Sequence, residues 1–101
     1  MTAAYVCLVE VRLHLNDSHS LKEKRKVVNS LKAHLRQRFG AAVAEVDGQD
    51  TWQRAALVCA LVGGGGEVAA RADQLERFVE SRHPAGASFE RDLLSLGDVR
   101  G

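Results

Sequence analysis

Two stretches of this chain carry side chains that could do chemistry. In the first, His19 stands between Ser18 and Ser20, and a histidine so placed could act as a general base for a serine hydroxyl. Such a site also needs a third group that orients the histidine and donors that stabilise an oxyanion. The sequence reveals neither, so we predict no catalytic residue here and no enzyme.

The second stretch holds the carboxylates Asp47 and Asp50, followed by Trp52 and Arg54. With His19 the two aspartates could bind a metal ion, but their spacing is not diagnostic, and we predict no metal and no other cofactor. Trp52 could stack on a nucleic-acid base. We favour the alternative that it packs a hairpin, because tryptophans beside turns usually do so.

Lys24 and Arg25 lie where a helix is expected to begin, and the free backbone N–H groups at such a position favour phosphate. The alternative is that they form ion pairs with Asp47 and Asp50 across the neighbouring turn. We favour the ion pairs, because charges that face each other across adjoining loops are usually structural. Lys24 also breaks the helical pattern, since it projects into the apolar face.

Basic residues are concentrated in one part of the chain. The net charge is only +1, yet residues 12–38 hold eight basic and two acidic residues. Several of these cations form a stripe on the face of the predicted helix opposite its apolar residues, and nothing acidic neutralises the stripe after Glu23. A solvated helix face and contact with RNA phosphates are both compatible with this pattern. The candidate nucleic-acid-binding residues are Lys22, Lys24, Arg25, Lys26, Lys32 and Arg36.

Hydrophobic periodicity predicts the elements that position these residues. The first helix opens with a capping box at Ser20 and Glu23 and stops at Gly40. The predicted elements are strands at 5–15, 41–47, 53–62 and 87–96 and helices at 21–39 and 67–82, with a frayed tail at 97–101. The order βαββαβ with right-handed crossovers predicts one ferredoxin-like domain over 1–101. This α+β sandwich has an antiparallel four-stranded sheet in the order 4-1-3-2 and both helices on one face.

One face of that sheet would be bare. The third strand is apolar on both sides, so one of its apolar rows must lie on the bare face, extended by Val6 and Leu8 or their alternates. An exposed apolar patch on a small protein usually marks an interface. We therefore predict a homodimer through the open face or the edge of the second strand.

Several classes of protein are disfavoured. No run approaches the roughly 20 apolar residues of a membrane span, and the first residues lack the features of a signal peptide, so we expect a cytoplasmic protein. Cys7 and Cys59 lie in apolar strands without metal-ligand spacing and are interpreted as buried packing residues. The glycines at 63–66 lack the Gly-Lys-Ser/Thr that a nucleotide-phosphate loop requires. Single-strand reading by sheet aromatics is disfavoured, because only Tyr5 is available.

Two separated motifs resemble the YlxP-like family. They comprise residues 18–25, 27–28 and 30–32, and then 43–47, 49–50 and 52–55. The likeness runs from Cys7 to about Val79; the four-glycine loop and the weak fourth strand depart from it. It implies a ferredoxin-like fold and no established activity. The resemblance also implies a place in bacterial gene order, near genes of the transcription and translation-initiation machinery and next to a ribosome-binding factor. Such a place implies a connection with RNA or the ribosome. The motif residues at one end of the sheet are Ser18, His19, Ser20, Asp47, Asp50, Trp52 and Arg54.

Three functional hypotheses follow. The leading one is a non-enzymatic factor that associates with RNA or a ribosomal subunit through the basic helix face. The alternative is a homodimeric module whose basic face binds an acidic protein. An enzyme that uses the residues around 18–25 and 47–54 comes last, because no catalytic geometry can be assigned to them.

Overall fold

The computed structural model describes residues 3–47 and 51–101. Its elements are β1 (Tyr5–His14), α1 (Leu21–Phe39), β2 (Ala42–Asp47), β3 (Arg54–Gly63), α2 (Gly65–Arg82), β4 (Ala87–Ser95) and α3 (Leu96–Arg100). The sheet has the order β2-β3-β1-β4, and every neighbouring pair is antiparallel. The predicted ferredoxin-like architecture and strand order are thereby confirmed.

The core lies between the sheet and the two long helices. The central strands β1 and β3 pair Val9 with Cys59 and Val11 with Leu57, and all four side chains are fully buried. Because side chains alternate along a strand, these residues share the face that the helices cover. The helices contribute buried apolar residues spaced three or four apart: Val28, Leu31 and Leu35 from α1, and Val68, Ala72, Leu75 and Val79 from α2.

Both ends of α1 are fixed by the residues that the sequence indicates. The Ser20 hydroxyl accepts a hydrogen bond from the backbone N–H of Glu23 at 3.1 Å, and the Glu23 carboxylate accepts one from the N–H of His19 at 2.7 Å. Gly40 ends the helix in the left-handed conformation, with φ of 63°. A Cβ atom there would lie 3.1 Å from the Arg71 guanidinium, so glycine suits the position both sterically and conformationally.

The chain differs from the predicted elements in two places. Helix α2 begins at Gly65, so two of the glycines expected in a flexible connection are helical. The tail expected to fray forms the short helix α3, because Ser95 and Asp98 make a reciprocal capping box with bonds of 3.0 and 3.1 Å. Among the described residues, no helix has the length and apolarity needed to cross a membrane.

The sheet face away from the helices carries an apolar patch. Val6 pairs with Val62 on one side and Leu94 on the other, and Leu8 lies beside Ala60. The side chain of Val62 is 63% exposed and that of Leu94 36%. An apolar row of the third strand therefore lies on the uncovered face, as the two-sided apolar pattern indicates.

Candidate nucleic-acid interface

The outer surface of α1 is cationic. Lys22, Arg25 and Lys26 are exposed, and Lys32 is half-buried. Within residues 3–47 and 51–101, no carboxylate lies at ion-pair distance from any of these four side chains. The helix thus presents a row of positive charge to solvent, and these four side chains make no ion pair within the described residues, an arrangement that attracts anions.

Lys24 lies beneath that surface. Its side chain is 3% exposed, and its Nζ lies 3.4 Å from Oε2 of Glu45 in β2. That oxygen makes no well-aligned hydrogen bond within the described structure, so the contact is an ion pair. The ion pair links the first turn of α1 to β2. Lys24 is therefore buried, unlike the exposed cations of the same helix. The predicted partner Asp50 lies outside the described residues.

Arg36 lies on the side of α1 that borders β2, and it also makes a structural contact. Its Nη2 donates a hydrogen bond of 3.0 Å to the backbone carbonyl of Val43. That carbonyl belongs to the edge strand β2, so the guanidinium satisfies a backbone group that has no neighbouring strand on that side. Arg36 remains exposed, and its other donors are available to a ligand.

Asp50 lies outside the described residues, and the other motif residues belong to segments that meet at one end of the sheet. His14 pairs with Arg54, and the N–H of Leu15 donates to the carbonyl of Gln53 at 2.7 Å, which joins the end of β1 to the start of β3. The two serines lie at the entrance to α1, where Ser18 is 5% exposed and Ser20 is occupied as a helix cap. Within residues 3–47 and 51–101, neither serine hydroxyl is hydrogen-bonded to a histidine or carboxylate.

Two further motif residues line a cavity on the open face. Arg54 and Asp47 line it together with Arg12 and His14, and its volume is about 450 Å³. Trp52 is 48% exposed at the neighbouring turn, and His19 is exposed before α1. In the described part of the chain, no three His, Cys, Asp or Glu side chains are placed to hold a metal ion.

Both cysteines are free and buried in the core. Burial raises the pKa of the Cys59 thiol to about 11 and raises the pKa of Cys7 as well. Thiols with raised pKa values are poor nucleophiles near neutral pH, in keeping with the packing role expected of them.

The structure adds cations that sequence reasoning missed. Arg38 of α1 and Arg82 of α2 both lie over the ring of Phe78, with their guanidinium carbons 4.8 and 4.9 Å from its centroid. His34 and His83 lie nearby, and the pKa of His83 is lowered by burial and by the charge of Arg82. The available signal was the four-residue spacing of Lys26, Ser30, His34 and Arg38, which predicts a second row along α1.

Comparisons with known proteins agree with the motif resemblance. A family model described as "Protein of unknown function (DUF503)" matches residues 6–89. A curated relative, the "Uncharacterized protein YlxP" of Bacillus subtilis (strain 168), is 39% identical over 46 residues, which are 46% of this chain and 50% of the relative. The matched segment therefore spans about half the length of that relative.

Proposed function

The chain belongs to the DUF503 family of proteins of unknown function, and we propose a function for it from its surface. We infer that it is a non-enzymatic RNA-binding protein that associates with a ribosomal subunit through the outer face of α1. The observation that carries this proposal is the set of cations Lys22, Arg25, Lys26 and Lys32, which have no carboxylate at ion-pair distance within the described residues.

Cations of this kind bind phosphate with a measurable signature. Each phosphate that a lysine or arginine neutralises releases counterions, so affinity falls steeply as salt is added. Four contacts would give a slope of about −3 in a plot of log affinity against log salt concentration. The burial of Lys24 sharpens the proposal, because this lysine supports the fold beneath the surface and the exposed residues remain to contact RNA.

The other features of the chain favour this role over catalysis. Ser20 caps a helix, and the two cysteines are buried with raised pKa values, so these groups are poor candidates for nucleophiles. The sheet also offers little for base stacking. Tyr5 lies on the helix-covered side, in phase with buried Cys7, and its ring faces Gly65. Recognition of phosphates by the helix therefore fits better than reading of bases by the sheet.

The test is binding of purified protein to ribosomal subunits and bulk RNA at low and moderate salt. Arg25→Gln/Lys32→Gln removes two charges from α1, and Arg77→Gln/Arg100→Gln removes two exposed charges elsewhere as the matched control. We expect the first variant to bind about tenfold more weakly, with a salt slope shallower by about 2, and the control to bind like wild type. Absence of RNA binding by wild type, or equal loss in both variants, would contradict the proposal.

A second candidate function rests on the open sheet face. There the apolar patch of Val6, Val62 and Leu94 continues into charged residues, where Glu10 lies directly opposite Glu90 across the strand pair β1–β4. Like charges directly opposite each other are unfavourable. The Nε of Arg12 donates a hydrogen bond of 2.7 Å to Glu10 and offsets part of this repulsion. A second copy of the chain would cover the apolar patch. In this candidate the protein is a homodimeric interaction module, and the cations of α1 bind an acidic protein.

The two candidates separate in two measurements. Sedimentation equilibrium of wild type and of Val62→Ser reports the dimer, and we expect the serine variant to be monomeric at concentrations where wild type is dimeric. Capture of cellular partners with and without nuclease treatment reports the ligand of α1. If capture survives nuclease, the partner is a protein and the RNA proposal is wrong; if wild type is monomeric, the dimer proposal is wrong.

A further inference from the structure

Six exposed or half-buried cations of the helical layer form two rows, one on each flank of α1. The first row consists of Arg25, Lys32 and Arg36, and it borders β2, because Arg25 and Lys32 line a cleft with Glu45 and Arg36 reaches the carbonyl of Val43. The second row consists of Lys26, Arg38 and Arg82, and it borders α2, because Lys26 and Arg82 line a groove of about 360 Å³ between the helices.

The second row brings like charges together. Arg38 and Arg82 come from different helices, yet both guanidinium groups contact the ring of Phe78, at 4.8 and 4.9 Å from its centroid. Contact with the ring offsets only part of their mutual repulsion. Across residues 3–47 and 51–101, neither arginine has a carboxylate at ion-pair distance. An anion bound beside the pair would supply the missing negative charge.

The crest of α1 between the two rows is uncharged for most of its length. Asn29, Ala33 and Gln37 are spaced four apart, and all three are exposed. An α-helix with its side chains is about 10–12 Å across, so the two rows lie on opposite sides of a ridge of roughly that width. A ligand that contacts both rows must offer two lines of negative charge with space for the ridge between them.

We propose that the RNA bound by this protein is double-stranded, and that α1 lies across its minor groove with one row of cations on each phosphate strand. This inference rests on the proposed RNA-binding function and names its substrate class. The minor groove of A-form RNA is wide and shallow and displays 2′-hydroxyl groups, which the amides of Asn29 and Gln37 are suited to bond. The minor groove of B-form DNA is only about 6 Å wide and does not admit a helix.

The experiment measures binding by fluorescence anisotropy to three labelled probes. These are an RNA duplex of about 16 base pairs, a length that spans two successive minor grooves, one of its strands alone, and a DNA duplex of the same sequence. The variants are Arg25→Gln/Lys32→Gln for the first row, Arg38→Gln/Arg82→Gln for the second, and Arg77→Gln/Arg100→Gln as the charge-matched control. Arg38→Lys/Arg82→Lys keeps the charge of the second row, and thermal unfolding of each variant verifies its fold.

We expect the RNA duplex to bind at least about tenfold more tightly than the single strand or the DNA duplex. Each row variant should weaken duplex binding about tenfold and reduce the salt slope by about 2, while the control binds like wild type and the lysine variant retains most of the affinity. If the single strand or the DNA duplex binds as tightly as the RNA duplex, or if the second-row variant binds like the control, the duplex inference is wrong and the proposed function stands. If no RNA binds, both are wrong.

Discussion

The two faces of the sheet are built from the same strands and from similar residues, yet only one of them is a core. On the helix-covered face, Val9, Val11 and Leu57 are completely buried. On the other face, Val62 is 63% exposed. Apolar residues on both sides of a strand therefore indicate two surfaces that favour a partner, and the helices of this chain cover only one of them.

The two outer surfaces of the molecule, the helical side and the open sheet side, also differ. Helices α1 and α2 bury one apolar face each, and the outer surface of α1 is cationic, so the α1 side of the molecule attracts anions. The open sheet side is apolar at one end and holds facing carboxylates further along, at Glu10 and Glu90. RNA is therefore the partner proposed for the helical side, and a second copy of the chain for the sheet side.

The largest expected effect is a loss of stability from a substitution on the helix-covered face of the sheet. Leu57→Ala should lower the free energy of unfolding by about 3 kcal/mol, because it removes buried methyl groups and leaves a cavity. Val62→Ala on the open face should change the unfolding free energy of the monomer by less than about 0.5 kcal/mol. Urea unfolding at low protein concentration measures both. Equal losses in the two variants would mean that both faces are buried in solution.

The buried ion pair beneath the cationic surface gives the next largest effect. Glu45→Ala takes away the carboxylate beside the buried Lys24 ammonium and should cost about 2 kcal/mol of stability. The double variant Lys24→Met/Glu45→Leu should recover most of that loss, because it leaves no buried charge. RNA affinity of the folded double variant should equal that of wild type. A large loss of RNA binding would place Lys24 among the contact residues instead.

A smaller effect comes from the pH dependence of the covered face. The pKa of Cys59 is about 11 in the folded protein, above the value of about 8.5 in an unfolded chain. The unfolded state therefore loses its thiol proton first, and stability is full below about pH 8.5 and falls as pH rises towards 11. Between pH 7.5 and 9.5 the loss should be about 1 kcal/mol. Urea titrations at both pH values should show a flatter dependence for Cys59→Val, and an unchanged dependence would contradict the buried thiol.

The smallest effect concerns the edge strand β4, which a surface network holds to α2. Arg91 lies 2.9 Å from Asp73 and 2.8 Å from Glu76, and all three side chains are partly exposed. Arg91→Gln should therefore cost only about 0.5–1 kcal/mol, and the loss should shrink at high salt. A stability loss as large as that of Glu45→Ala would contradict this prediction. It would mean that the β4–α2 network and the β2–α1 ion pair contribute equally to stability.

Most of the fold could be predicted from the sequence. Contacts between residues of different elements could not. Lys24 stood out of the apolar pattern, and that irregularity correctly indicated a side chain directed at the sheet. Its partner Glu45 was not identified, because the contact depends on how closely α1 approaches β2. The capping box at Ser95 and Asp98 has the same form as the one predicted at Ser20 and Glu23, so α3 was within reach of the same rule.

For the candidate site, periodicity along α1 was sufficient to place Lys22, Arg25 and Lys32 on one exposed face, because a helical repeat fixes which side chains of a single element lie together. It could not associate Arg82 with Arg38, or show that both guanidinium groups lie over the ring of Phe78, because these residues belong to helices whose approach is set by packing. The same limit applies to the sheet. Alternation made both faces of β3 apolar, and only the placement of the two helices on one side decided which became the core and which stayed open.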